Sequence, residues 1–386
     1  MEWYTTNRTS YIKCHWGQRK LLYSEIEFLT IASQYVDFNN TLCVYVGAAG
    51  GHHLPILGKL FDKLKFLLYD PAKFVINENE QFMIKTNKDG FFTDKKVDEV
   101  LKIANKREIL FISDIRIEPS NVTCHADMLS QQRWAIMMNA KVMMFKYRLP
   151  YIDNDEKEFD TTMPDEKIKD KIIIPTMDDK LKKPYLYLDG KIYWQLYPPS
   201  YSTETRLIVI RQGDKFNMKY YDSKRYESQC LYFNEVDRIK TYHVGDSNLV
   251  KYHILGFDDG YDSVSEYYII SKYFETFMKE KTIEFSKILK LLYIIDKKLR
   301  NITRQNLIGK VDVTLNKYIE RKYKMEEEEK NEKEKKKYKE KIDLLKKKII
   351  TYNELVKISY KNQIIAIKKG TILDKEDYIE QLKIKI

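Results

Sequence analysis

One stretch constrains the fold more than any other: an apolar run, a glycine-rich turn, a helical segment, a second apolar run and then an acid. It reads TLCVYVGAAGGHHLPIL from Thr41 to Leu57 and closes with KFLLYD at Asp70. Gly47, Gly50 and Gly51 let the backbone pass close to a ligand at the carboxyl end of the first run. Asp70 ends the second run, where a ribose hydroxyl would sit in an open α/β sheet. The turn has neither the G-x-G-x-x-G spacing of dinucleotide sites nor the Lys and Ser or Thr of a P-loop. A carboxylate there pairs naturally with two ribose hydroxyls, which favours S-adenosylmethionine over NAD. A tight glycine turn in an ordinary doubly wound sheet is the alternative.

The surrounding sequence repeats this texture. Thr41 to Val46, Leu64 to Tyr69, Ile109 to Ser113 and Val142 to Tyr147 read as buried strands. Between them the spacing predicts helices over Gln18 to Tyr35, Pro55 to Asp62, Asp94 to Asn105 and Cys124 to Asn139, with Asp94 as N-cap. Buried strands with intervening helices imply an α/β fold with a mostly parallel sheet covered on both faces. A charged stretch from about 153 to 183 reads as an exposed insertion or flexible loop. Strand texture returns in Lys191 to Tyr197 and Thr205 to Arg211, and a Tyr-rich segment ends the globular part near Phe277. Residues 1–277 are thus expected to form one domain and 278–386 a helical, Lys/Glu-rich extension. Tyr338, Ile342, Leu345, Ile349, Tyr352 and Val356 alternate spacings of four and three, a short heptad seam that suits a helical hairpin or a partner-docking helix.

Charge decides less than its total suggests. The net charge is +11, but residues 1–320 hold only +4 of it, so the basic excess lies in the tail. No apolar run approaches the ~18 to 20 residues of a membrane span, and the N-terminal residues lack the basic-then-apolar order of a signal peptide. The expectation is a soluble, cytoplasmic protein. The Lys, Ile, Asn and Tyr bias fits an A/T-rich coding genome, as in some large cytoplasmic DNA viruses. Cys14, Cys43, Cys124 and Cys230 are too far apart for a zinc knuckle or redox dithiol and read as free thiols.

Seven short segments occur in a telling order: GQRKLLYSEIEFL, VYVGAAGGHH, LLYDP, FISDIR, KYRLPYID, YPPSYSTETRL and YESQCLYFN. Together they resemble the poxvirus cap-specific mRNA nucleoside 2'-O-methyltransferases, which also act as the small, processivity-conferring subunit of poly(A) polymerase. The resemblance runs from about Gly17 to Phe277 and has no counterpart beyond about residue 310. It implies a Rossmann-like S-adenosylmethionine-dependent methyltransferase and a Lys-Asp-Lys-Glu catalytic set at Lys20, Asp114, Lys146 and Glu204. Asp114 and Lys146 also fall at the ends of expected strands, where open parallel sheets place their ligands.

In the implied chemistry, Lys146 as a free amine takes the ribose 2'-hydroxyl proton while the oxygen attacks the sulfonium methyl in line. A lysine loses its charge near neutrality only through burial or a neighbouring cation, and Lys20 would be that cation. Asp114 orients the amine and lies near the sulfonium, and Glu204 holds the lysine pair. The same resemblance implies cofactor contacts at Gln18, Gly47, Ala48, Gly51, Asp70 and Asp114. Gly50, His52 and Ala72 depart from the family pattern in this turn. For the cap, it implies that Tyr151, in place of the family's phenylalanine, stacks on 7-methylguanine and that Asp153 and Glu227 take its polar edge. The second ring would be Trp3, Tyr4 or Tyr11.

The implied partners are capped mRNA and, through the C-terminal helices, a poly(A) polymerase catalytic subunit or other transcription and capping proteins, with no membrane. A non-catalytic RNA-binding regulatory subunit is the competing reading. Arg116, Arg133, Arg148 and Arg206 are expected around the cleft rim, as phosphate contacts or as solvated surface charges. No metal is expected, because adjacent His52 and His53 point in different directions and no third ligand is suitably spaced. Met137, Met138, Met143 and Met144 are expected in the core.

Overall fold

A computed structural model describes residues 17–118, 120–151, 164–181, 184–198, 202–234, 238 and 261–299. In chain order the elements are α1 (Gly17–Ala32), β1 (Thr41–Val46), α2 (Leu54–Leu60), β2 (Lys65–Tyr69), β3 (Phe82–Lys85), α3 (Asp94–Ala104), β4 (Glu108–Ser113), α4 (Asn121–Met137), β5 (Val142–Tyr147), β6 (Ile172–Ile173), β7 (Pro184–Leu188), β8 (Lys191–Tyr193), β9 (Thr205–Ile210), β10 (Phe216–Asp222), α5 (Ser223–Tyr232), α6 (Tyr261–Lys272) and α7 (Phe285–Leu299).

Seven strands form the central sheet in the order β3-β2-β1-β4-β5-β9-β8. The first five are mutually parallel, and β9 enters antiparallel between β5 and β8. This is a Rossmann-like α/β fold. The strand order reverses direction between β1 and β4, and such switch points are where open α/β sheets bind ligands.

Alternation along each strand sends side chains to two separate cores. Cys43 and Tyr45, Leu110 and Ile112, Val142 and Met144 join the layer containing α1, α2, α6 and α7. Leu42, Val44 and Val46, Ile109 and Phe111, Met143, Phe145 and Tyr147 join the layer under α3 and α4. This parity matters for function, because Lys146 shares the face of Val142 and Met144 and so points to the side where α1 lies.

The expected strands are present within one residue, except that Lys191 to Tyr197 shortens to β8. α4 begins at Asn121, three residues before its expected start, because Ser120 caps it by accepting from the Thr123 N–H at 3.2 Å. The N-cap of α3 is Thr93, one residue before the expected Asp94. The Asp94 carboxylate instead accepts from Arg133 Nε and Trp134 Nε1, both at 3.0 Å, tying α3 to α4.

The described part of the charged stretch is not an open loop. Ile168 and Ile172 are buried, β6 pairs with β10, and Asp165 bridges Arg133 at 2.5 Å. β10 also pairs antiparallel with β7 to form a second sheet against α4, where Gln131 donates to Tyr187 OH at 3.1 Å.

The boundary expected at 277/278 falls inside a continuous packing layer. Ile288, Leu289, Leu292, Ile295 and Leu299 of α7 are buried in the α1 core. Arg19 on α1 reaches both Glu266 on α6 (2.6 Å) and Asp296 on α7 (3.2 Å), all three nearly inaccessible to solvent. The heptad positions from 338 to 356 lie outside the described residues. No described helix is long and apolar enough to cross a membrane.

Candidate active site

Four chain segments deliver charge to one spot at the carboxyl edge of the sheet. Asp114 follows β4, Lys146 is the penultimate residue of β5, Glu204 immediately precedes β9, and Lys20 lies in the first turns of α1. Lys146 Nζ stands 3.3 Å from Asp114 Oδ1 and 3.7 Å from Glu204 Oε2, and Lys20 Nζ stands 3.4 Å from Glu204 Oε1. Lys20 is 8% exposed and Lys146 9%, so both amines are largely withdrawn from water.

Such a cluster perturbs its own ionisation. Burial pushes the Lys20 amine down; Glu204 opposes this, while the Arg206 and Lys146 cations add to it. Burial alone would raise Asp114, but Arg206, Lys146 and Lys20 outweigh burial and the Glu204 charge and hold it below the usual carboxylate range. Glu204 is held well below that range in the same way, burial being outweighed by Lys146, Lys20 and Arg206. Both acids are therefore anionic at neutral pH.

Arg206 corrects the expectation of a rim arginine. It is 2% exposed, with its guanidinium 2.7 Å from Asp114 Oδ1. It is the register partner of Lys146 across β5 and β9 and shares the α1 face with Ile208. The strand over Thr205 to Arg211 was expected, but nothing in its sequence tells a rim arginine from one buried against Asp114. Gln195, also unforeseen, donates to Glu204 Oε1 at 3.1 Å. Arg133 too leaves the rim, paired with Asp94 and Asp165 on the α3–α4 side. Arg116 pairs with Asp127 at 3.4 Å.

The glycine turn lies against this cluster. Gly47 has φ +84°, and a Cβ there would stand 2.8 Å from the Asp114 carbonyl carbon, so no other residue fits without moving the end of β4. Gly51, at φ +73°, likewise has no room beside Leu54. The Asp70 carboxylate accepts from Ala49 N–H (3.0 Å) and Ala72 N–H (2.8 Å), which fixes it beside the turn and leaves further lone pairs on both oxygens. Ala48 is buried in the turn. Gln18, two residues before Lys20 on α1, contacts His53 Nδ1 through Oε1 at 2.7 Å. A backbone cradle, an acid at the end of β2 and two anions nearby suit a nucleoside bearing a sulfonium, so the residues present fit such a donor.

Tyr151, after β5, is held by Asn121, whose Oδ1 accepts from the Tyr151 N–H at 3.0 Å and from Arg148 at 2.8 Å. The Arg148 guanidinium lies 4.4 Å from the Tyr151 ring centroid and covers one face. Thr203 donates to the Tyr151 hydroxyl at 3.0 Å, and its carbonyl accepts from Tyr226 OH at 2.5 Å. Glu227 follows Tyr226 on α5. Asp153, Trp3, Tyr4 and Tyr11 lie outside the described residues.

Among the described residues no group of three or more His, Cys, Asp or Glu side chains gathers as a metal site requires. His53 is wholly buried and bonded to Gln18 and Glu25. Cys43, Cys124 and Cys230 are buried free thiols. Met138, Met143 and Met144 are buried in the core.

A sequence profile described as "Poly A polymerase regulatory subunit" matches residues 2–303. The cap-specific mRNA (nucleoside-2'-O-)-methyltransferase of Myxoma virus (strain Lausanne) is 24% identical over 237 residues, 58% of this chain and 62% of its own length. That of fowlpox virus (strain NVSL) is 26% identical over 238 residues, 58% of this chain and 68% of its own. The chain thus spans under two thirds of the Myxoma relative. Among solved structures, bluetongue virus VP4, described as a multifunctional RNA-capping production line, aligns over 60% of this chain and 33% of its own at 13% identity, with a TM-score of 0.39.

Proposed function

Because the chain belongs to the poly A polymerase regulatory subunit family, we propose that it transfers a methyl group from S-adenosylmethionine to the ribose 2'-hydroxyl of the first transcribed nucleotide of capped mRNA. One observation carries this reading: two lysines and two acids from four distant segments converge within 3.3 to 3.7 Å beside a glycine turn at the sheet's switch point. Surface ion pairs arise by chance, but a buried four-residue network costs desolvation and calls for a use.

The donor, when bound, supplies an electrophilic methyl group. Gly47, Ala48 and Gly51 cradle it, Asp70 accepts from its ribose, and Gln18 contacts it from α1. Lys146 would take the 2'-hydroxyl proton onto Nζ as that oxygen displaces the sulfonium sulfur: the oxygen–methyl bond forms, the sulfur–methyl bond breaks with its electron pair on sulfur, and the neutral thioether S-adenosylhomocysteine leaves. Asp114 holds Lys146 in place at 3.3 Å and Glu204 steadies both lysines. Burial of the cluster strengthens each of these contacts relative to water. Tyr151 stacks on the cap base, and Asp153 and Glu227 take the base's polar edge.

Lys146→Met tests this directly. Loss of a positioned base costs about 10²- to 10⁴-fold in rate, while donor affinity stays near wild type. Turnover near the wild-type rate in this variant would refute the assignment.

The description of the matching family favours a second role beside the first. The chain then also acts as an RNA-gripping subunit for a poly(A) polymerase, through residues 278–386 or the basic tail. Tail lengths made by the polymerase with and without this chain decide the point, and identical lengths count against it.

A further inference from the structure

Three buried polar side chains with no part in the scheme above lead to one that has, Gln18. Tyr45 OH donates to the Glu25 carboxylate at 2.7 Å, that carboxylate faces His53 Nε2 at 2.9 Å, and His53 Nδ1 faces Gln18 Oε1 at 2.7 Å. Tyr45, Glu25 and His53 are all inaccessible to solvent. His53 lies two residues after Gly51 and occupies the N-cap of α2 without capping it through its side chain. Its ring is given over to Gln18 and Glu25 instead.

Counting donors fixes the protons. A neutral imidazole carries one N–H and one acceptor nitrogen. Both neighbours of this ring are acceptors, one an amide oxygen and the other a carboxylate already taking the Tyr45 hydroxyl. The Gln18 oxygen lies 2.7 Å from Nδ1 and the Glu25 carboxylate 2.9 Å from Nε2, so both acceptors are served when both ring nitrogens carry hydrogen. Neighbouring His52 responds to the ring, pushed down by burial and then by the His53 charge. The Gln18 amide is oriented in turn. Its oxygen is claimed by Nδ1–H, which leaves the NH2 end, without a hydrogen-bond partner among the described residues, as the end for a ligand.

Resting on the methyltransferase reading, we propose that His53 is a positioning residue of the donor site: held as an imidazolium by Glu25, it turns the Gln18 amide so that its N–H groups, not its oxygen, meet the donor. An amide presented this way selects an acceptor, the strongest on S-adenosylmethionine being its carboxylate.

Two near-isosteric variants separate the contacts. The amide of His53→Asn keeps a donor near Nδ1, and that of His53→Gln keeps one near Nε2. Measured by S-adenosylhomocysteine binding, His53→Asn stays within about threefold of wild type, while His53→Gln weakens binding about 10- to 100-fold, the span of one charge-assisted hydrogen bond. In a Gln18→Ala background His53→Gln costs less than about threefold, because no amide remains to be turned. Equal losses in the two backgrounds would mark His53 as merely structural and overturn the proposal. The imidazole 15N spectrum of the ligand-free chain decides the protonation independently: two protonated nitrogens are expected, and a singly protonated ring, with the amide reversed, overturns it. A wild-type chain that binds no S-adenosylhomocysteine but shows the doubly protonated ring would instead refute the methyltransferase reading and leave the His53–Gln18 geometry standing.

Discussion

Removing Arg206 is the most informative single change, because its effect has a calculable sign and size. Arg206 is among the cations that push the buried Lys20 amine down, and its guanidinium and Lys146 Nζ sit side by side on Asp114 Oδ1, at 2.7 and 3.3 Å. Two unit charges at ~5 Å with an effective dielectric constant of ~20 repel by about 3 kcal/mol, equivalent to about 2 pH units. Asp114, 2.7 Å from the guanidinium, cancels part of this, so a net effect of about 1 unit is expected. The charge count points the same way. Lys20, Lys146 and Arg206 against Asp114 and Glu204 leave one excess positive charge, and the cluster becomes neutral only when one lysine gives up its proton. Without the arginine, two lysines balance two acids, and only burial and Lys146 are left to push the Lys20 amine down. In Arg206→Met the rising limb of the pH–rate profile therefore moves to higher pH by about 1 unit, and alkaline buffer restores much of the lost rate. Arg206→Lys, which keeps the cation, holds the limb near its wild-type position. A Met variant whose maximum rate falls while the limb stays in place would refute the reasoning and reduce Arg206 to packing.

Other outcomes follow from the same contacts. Arg19→Met strands the buried acids Glu266 and Asp296 and should cost about 3 to 5 kcal/mol, read as a lower urea midpoint; an unchanged midpoint contradicts the buried triad. Glu204 and Asp114 are held below their ordinary values of 4.5 and 3.8, so the stability they contribute is complete above those values and is lost as pH falls through the lowered ones. The urea midpoints of wild type and Glu204→Gln should therefore converge on acidification below about pH 4, and a constant gap would show that Glu204 contributes nothing through its charge. Tyr151→Ala should weaken binding of capped over uncapped RNA by about 1 to 2 kcal/mol, the worth of a desolvated cation on an aromatic face, and an unaltered capped-to-uncapped ratio would remove the stacking role.

Much of the sheet was legible because β1, β2, β4 and β5 are buried on both faces and read as unbroken apolar runs. β3 and β10 were not, since Phe82–Lys85 is short and only partly buried after Phe82, and Phe216–Asp222 alternates buried and partly exposed positions like any mixed segment. The convergence of Lys20, Asp114, Lys146 and Glu204 was readable from strand ends for only two of the four. Lys20 and Glu204 needed the family resemblance, because nothing local tells a helix lysine that it faces a sheet edge. Arg206 and His53 escaped for one shared reason. Burial of a charged side chain depends on partners tens of positions away in the chain, Asp114 for Arg206 and Glu25 for His53, and the quoted segments that hold these two residues do not advertise them. α7 was assigned to an extension because its Lys-rich sequence hides a buried stripe at Ile288, Leu289, Leu292, Ile295 and Leu299.

The central claim is most directly tested by incubating the chain with S-adenosylmethionine carrying a labelled methyl group and short RNAs, capped and uncapped, then digesting to nucleotides. Label on the 2'-oxygen of the first transcribed nucleotide of capped RNA alone is the predicted result. Label on a base, on uncapped RNA equally, or on no nucleotide at all would contradict it.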